Sequence, residues 1–185
     1  MNMEDLERRL RVMEDVEEIK RLKARYCAYC DDNYNATAIA SLFTEDAVWD
    51  GGIRGRADGR QGIHDFFFQA SQRLPFAIHM VMNPDIEVNG DTATGSWYLF
   101  QACTYAEDNQ AIWGSGRYDE EYVRLDGVWM FKHLKLTWFF WTPFEQGWAK
   151  AQFSKPLSSR TGRYEPDARL GCYRHRSQQR AGQGH

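Results

Sequence analysis

The sequence lacks the short motifs that announce nucleotide and cofactor chemistry. It has no G-x-x-x-x-G-K-[ST] loop, no G-x-G-x-x-G fingerprint, no G-x-S-x-G elbow and no H-E-x-x-H pair. No cofactor and no metal are therefore expected. Long hydrophobic runs are missing too. Stretches such as Leu136–Trp141 fall far short of the ~20 residues that span a bilayer, so no membrane partner is expected. Cysteine is sparse, with 4 in 185 residues, which excludes a disulfide framework. Cys27 and Cys30 fit C-x-x-C, but they fall within a helical pattern and no second metal-type pair follows, so they read as buried helix cysteines. The start, Met1-Asn2-Met3-Glu4-Asp5, carries no basic segment leading into an apolar one, and a cytoplasmic location is the expectation.

What the chain has in quantity is aromatic: 7 Trp, 9 Tyr and 11 Phe. That many flat side chains suit a thick core, a pocket for a flat apolar ligand, or an interface. Charge is unevenly placed. Residues 155–185 hold 7 Lys/Arg and 2 Asp/Glu, whereas the preceding residues hold 16 and 24. An acidic body does not suit nucleic acid. We divide the chain into a domain over 1–153 and a basic, flexible tail over 154–185.

Spacing of apolar residues sets the element order. Leu6, Leu10, Met13, Val16, Ile19, Leu22 and Tyr26 recur at steps of three and four and predict a helix over 4–30. A short helix is expected over 36–43, a short strand over 47–50, a loop over 52–60 and a third helix over 61–72. The period then changes to two. Strands are expected over 77–88, 92–105, 111–124 and 128–141, with turns at Asn89-Gly90, 106–109 and Asp126-Gly127. Pro84 forbids a central ladder position in the first of these strands. Helices followed by a meander of long strands make an α+β fold.

Few ionisable residues occupy apolar positions. Asp31 closes the first helix. His79 sits within Phe76-Ala-Ile-His-Met-Val-Met82, where a buried imidazole requires a hydrogen-bond partner, often a carboxylate. Spacing alone does not show that the two meet.

Four stretches carry a resemblance: Ile19–Asp31, Leu42–Trp49, Ile78–Val88, and Gly114–Tyr122 through Asp126–Trp129. On these the chain resembles SnoaL-like members of the nuclear-transport-factor-two-like superfamily. That superfamily includes bile-acid 7-alpha-dehydratase, lindane dehydrochlorinase and scytalone dehydratase. The resemblance implies a cystatin-like cone, a curved mixed or antiparallel sheet and three helices enclosing a pocket. It also implies that His79 is a general base, that Asp31 orients it, and that Tyr26 is a phenol serving the leaving group. Trp49 and Tyr118 match pocket positions of the dehydrochlorinase, strand parity adds Trp113, Leu134 and Trp138, and together the five would line an apolar pocket. The expected activity is loss of water from a small apolar, ring-containing substrate of steroid or polyketide type. A double-bond isomerase and a non-catalytic module, such as a dioxygenase small subunit, stay open as alternatives. The relatives imply a homo-oligomer, with a trimer favoured over a dimer. One departure stands out. Leu134 or Trp138 occupies the last-strand position where relatives keep an Arg; Arg117 on the preceding strand reads as a solvent-facing Arg, with replacement of that cation as the alternative.

Overall fold

A computed structural model of the chain describes residues 2–154. The tail assigned to 154–185 lies outside the described residues from Lys155 onward, as does Cys172. The first helix, α1, runs Met3–Asp31 and is capped by Asn2, whose side chain accepts the Asp5 amide at 2.8 Å. Only its second half buries an apolar stripe: Ile19, Leu22, Tyr26, Cys27 and Cys30 are buried, while Leu6, Leu10 and Met13 are exposed. The first half of the predicted stripe thus finds no core among the described residues.

The helix α2 spans Ala36–Ala40, shorter than the expected 36–43, because Phe43 already belongs to a strand. That strand, β1, covers Phe43–Asp50 and is longer than the expected 47–50. Phe43 is fully buried and pairs with Phe131, so sheet pairing overrides the local helical pattern. The expected loop over 52–60 contains two elements. One is a 3-10 turn, Gly52–Arg54. The other is a short strand, β2, Arg56–Asp58, antiparallel to β1. Next comes α3, Gly59–Arg73, and then β3 (Phe76–Asn89), β4 (Thr92–Thr104), β5 (Ala111–Leu125) and β6 (Val128–Pro143).

All six strands form one sheet in the order β2-β1-β6-β5-β4-β3. Only the β1–β6 pairing is parallel, so the sheet is mixed. Pro84 lies on the edge strand β3, where the register shifts between Met82 and Asp85, as its missing N–H requires. The fold is α+β, a curved open sheet with helices against one face. The inner face is read from strand parity. It carries Ala77 and His79 on β3, Leu99, Gln101 and Cys103 on β4, Gly114, Gly116 and Tyr118 on β5, and Leu134 and Leu136 on β6. Among the described residues, no helix is long and apolar enough to cross a membrane.

Candidate active site

The end of α1 and the middle of β3 bring Asp31 and His79 together. Asp31 Oδ1 accepts from the His79 backbone N–H at 2.9 Å and faces His79 Nδ1 at 2.7 Å. The His79 side chain is 6% exposed and that of Asp31 30%. A carboxylate at a helix C-terminus meets the negative end of the helix dipole. The last turn of α1 has no basic residue to offset this. The two donors of His79 supply the compensation. With Nδ1 against the carboxylate, the ring proton belongs on Nδ1, and Nε2 keeps its lone pair.

Tyr34 stands beside the pair. Its ring meets that of His79 edge-on, with centroids 5.8 Å apart, and stacks on Phe67 at 5.9 Å. Asn33 and Tyr34 both have φ of 50°, a conformation that bulky residues rarely adopt, and it turns the Tyr34 ring into the interior. The Tyr34 hydroxyl accepts a long hydrogen bond, 3.5 Å, from buried Gln101, which is directly opposite His79 in register. Burial pushes the Tyr34 phenol well above its ordinary pKa, an effect that the Arg54 guanidinium opposes.

Tyr26 lies deeper, 2% exposed, with its ring edges against Phe43, Phe67, Tyr118 and Phe131. Its hydroxyl accepts from Trp49 Nε1 at 3.0 Å. Burial holds this phenol neutral far beyond the usual range, with Cys30 and Tyr118 adding to the effect. Tyr118 is also at the base of the interior, where the Lys23 ammonium sits 3.3 Å from its ring centre. Lys23 pairs with Glu120 at 2.5 Å, and both side chains are fully buried.

Four of the five predicted lining residues share the inner face: Trp49, Tyr118, Leu134 and Trp138. Trp113 does not. It pairs with Ala102 on the outer face and packs against Phe100 and Phe144, with centroids 5.0 and 5.8 Å away. Its parity matches Arg117, Asp119 and Glu121, charged residues that mark the outer face. Arg117 is there too, half-exposed and 3.0 Å from Asp119, so it does not replace a cation of the interior. Besides buried Lys23, a half-buried cation lies against the interior aromatics: Arg54, on the 3-10 turn. Its guanidinium lies over Trp141 at 4.4 Å and near Tyr105 at 5.7 Å. Two open hollows, one bounded by Asp85, Arg117, Asp119 and Lys135 and the other by Thr44, Asp46 and Lys132, include neither His79 nor Asp31.

Among the described residues, no group of three or more His, Cys, Asp or Glu could hold a metal ion. Cys27, Cys30 and Cys103 are free and buried, and burial pushes the Cys27 thiol up to about 11 and that of Cys103 to about 12. At neutral pH they remain thiols, poor nucleophiles.

A SnoaL-like domain model matches residues 11–135. The chain belongs to the SnoaL-like family. A relative of this SnoaL-like chain, the uncharacterized protein Rv2910c of Mycobacterium tuberculosis, is 31% identical over 114 residues, 60% of this chain and 77% of the relative. Among solved structures, the hexachlorocyclohexane dehydrochlorinase LinA-type3 of Novosphingobium barchaimii is 28% identical. It covers 80% of this chain and 99% of its own, with a TM-score of 0.66. Two more distant structures share the fold. A Novosphingobium aromaticivorans protein classed with scytalone dehydratase is 21% identical, covering 83% of this chain and 97% of its own, with a TM-score of 0.67. A nuclear-transport-factor-two-like protein of Salmonella enterica is 17% identical, covering 66% and 89%, with a TM-score of 0.61. The SnoaL-like chain therefore has the nuclear-transport-factor-two-like fold and a structural relative that is a dehydrochlorinase.

Sequence reasoning missed Tyr34, Gln101 and Arg54. The signals were faint. Asn33-Tyr34-Asn35 is a turn-like triplet just after Asp31, and Arg54 is held within Gly51-Gly52-Ile-Arg-Gly55. Gln101 is a lone amide among inner-face apolar residues.

Proposed function

We propose that this SnoaL-like protein is a cofactor-free lyase that removes water from a hydroxylated, fused-ring substrate of steroid or polyketide type. The observation that carries the reading is the Asp31–His79 contact at 2.7 Å, on the inner face of a fold shared with a dehydrochlorinase. His79 Nε2 takes the proton from a carbon made acidic by a neighbouring carbonyl. The electrons of that C–H bond form the double bond, and the hydroxyl on the next carbon departs. The imidazolium returns its proton to the departing oxygen, which leaves as water, so the protein ends in its starting state. Asp31 keeps the ring aligned and balances its transient charge. Tyr26, held neutral by burial, serves as a hydrogen-bond donor to an oxygen of the substrate and not as a proton source. Trp49, Tyr118, Leu134 and Trp138 form the apolar wall.

An isomerase of this fold would give the base role to a carboxylate. Here Asp31 Oδ1 is already engaged by two groups of His79, which favours the imidazole as base. The test is turnover of hydroxylated fused-ring ketones by wild type and His79→Ala, followed by mass spectrometry. Water loss that disappears in a folded His79→Ala protein supports the reading. Unchanged turnover in that variant, or a product of unchanged mass, overturns it.

The outer face suits further copies of the chain. Phe76, Ile78, Met80 and Met82 alternate along β3, and Tyr98 and Phe139 continue the patch, each at least 41% exposed. A contiguous apolar face of this kind fits an interface. We infer a homo-oligomer, a trimer by the family's habit.

A further inference from the structure

A single cross-strand row spans the inner face: His79 faces Gln101, Gln101 faces Gly114, and Gly114 faces Trp141. Gly114 has no side chain to stand between them. A Cβ there would lie 2.7 Å from Cε3 of Trp141, so the indole lies flat across that strand toward Gln101. The indole is held in that direction by its Nε1–H, which donates to the Tyr105 hydroxyl at 2.8 Å.

Arg54 rests on this indole. Its backbone is as firmly placed as its side chain. The Arg54 amide donates to Gly51 O at 3.1 Å and the Gly51 amide to Gly55 O at 2.8 Å. Trp138 Nε1 donates to Gly51 O at 2.9 Å. Gly52 and Gly55 have φ of 56° and 121°, which only glycine adopts without strain, so the tight turn depends on both. The guanidinium influences two groups across the interior, the Tyr34 phenol and the Cys103 thiol. Tyr34 in turn touches His79. Arg54, through Trp141, and His79 thus stand at the two ends of the row His79–Gln101–Gly114–Trp141.

Among the described residues, the Arg54 guanidinium makes no hydrogen bond and no ion pair. The other charges close to the interior are satisfied within the protein: Lys23 by Glu120, Asp31 by His79, Asp15 by Arg124. A guanidinium carries five donors in a fixed fork that matches a carboxylate. A half-buried guanidinium kept on an aromatic plane, with its donors free, is prepared for an anion that arrives with the substrate.

We propose that Arg54 is a specificity-determining residue that binds a carboxylate carried by the ring substrate, at the end of the site remote from His79. The substrate class is thereby an acidic fused-ring compound, with its reacting carbon at His79 and its carboxylate at Arg54. This rests on the reading of the inner face as the substrate site.

The test uses binding, not turnover, with the full-length chain. 2-Naphthoate and its neutral isostere 2-naphthamide are titrated by calorimetry and by quenching of tryptophan fluorescence. Wild type is expected to bind the acid at least about tenfold more tightly than the amide. Arg54→Met is expected to lower the acid to the level of the amide, and Arg54→Lys, which keeps charge but loses the fork, to fall between. His79→Ala is expected to retain the preference. Equal affinities for acid and amide in wild type, absence of binding of both up to millimolar concentration, or a preference that survives Arg54→Met each overturn the proposal. The wild-type comparison decides even where a variant fails to fold. A wild type with no acid preference but with His79-dependent water loss overturns the Arg54 proposal alone. Acid preference without His79-dependent chemistry overturns the lyase reading and leaves the binding site standing.

Discussion

A carboxylate at the end of a helix is locally unfavourable, and Asp31 occupies such a place with Asp32 beside it. Its cost is offset by His79 alone among the described residues, through the ring and the backbone amide. Asp31→Asn keeps an acceptor for both donors and removes the charge from the helix end. Turnover is expected to fall by about a hundredfold or more, because the amide neither balances an imidazolium nor enforces one tautomer. The melting temperature is expected to stay level or rise. Paired assays of turnover and thermal unfolding check this, and a large loss of stability with activity retained would contradict it. Both residues of the pair stood out in the sequence, Asp31 at a helix end and His79 in an apolar strand. Tyr34, Gln101 and Arg54 did not, because each owes its place to a turn or a register that periodicity does not encode.

The strands show how an aromatic wall depends on glycine. Gly114 and Gly116 lie where Trp138, Trp141 and Leu136 cross β5. Gly114→Ala would push a methyl to within 2.7 Å of the Trp141 ring and 3.0 Å of Trp138. The expected cost is about 1–3 kcal/mol, with a changed tryptophan emission as the indoles tilt. Thermal unfolding and fluorescence spectra report both. The same strand explains the misplaced Trp113. Its neighbours of equal parity, Arg117, Asp119 and Glu121, are charged, and a strand that buries one face cannot bury a tryptophan on the other without a partner. In α1, apolar spacing predicted a continuous stripe from Leu6 to Tyr26, yet burial begins only where the sheet lies beneath the helix.

At the scale of the whole fold, one ion pair among the described residues is fully buried. Lys23 on α1 meets Glu120 on β5, with Tyr122 donating to the same carboxylate and Trp97 donating to Tyr122 at 3.0 Å. Removing one charge strands the other in a dry interior. Lys23→Met is expected to cost about 3–5 kcal/mol, and Lys23→Met with Glu120→Gln to recover most of it. Chemical denaturation of the three proteins measures the difference. The outer face provides the second test at this scale. Light scattering is expected to find an oligomer, a trimer by the inference above, and Ile78→Asp with Met80→Asp to reduce it to monomers. A wild-type monomer would contradict the inference.

By itself, the sequence determined the three helices and the four long strands, though not β2 or the 3-10 turn, together with the α+β class, the family and the two residues of the pair. These depend on apolar period, turn residues and local motifs, which neighbours in the chain set directly. Tertiary structure alone decided that Asp31 and His79 touch, that Trp113 points outward and that Arg54 reaches the interior. Each of these depends on sheet register and on turns with glycine or left-handed backbone. A one-residue change in register would send every side chain of a strand to the opposite face.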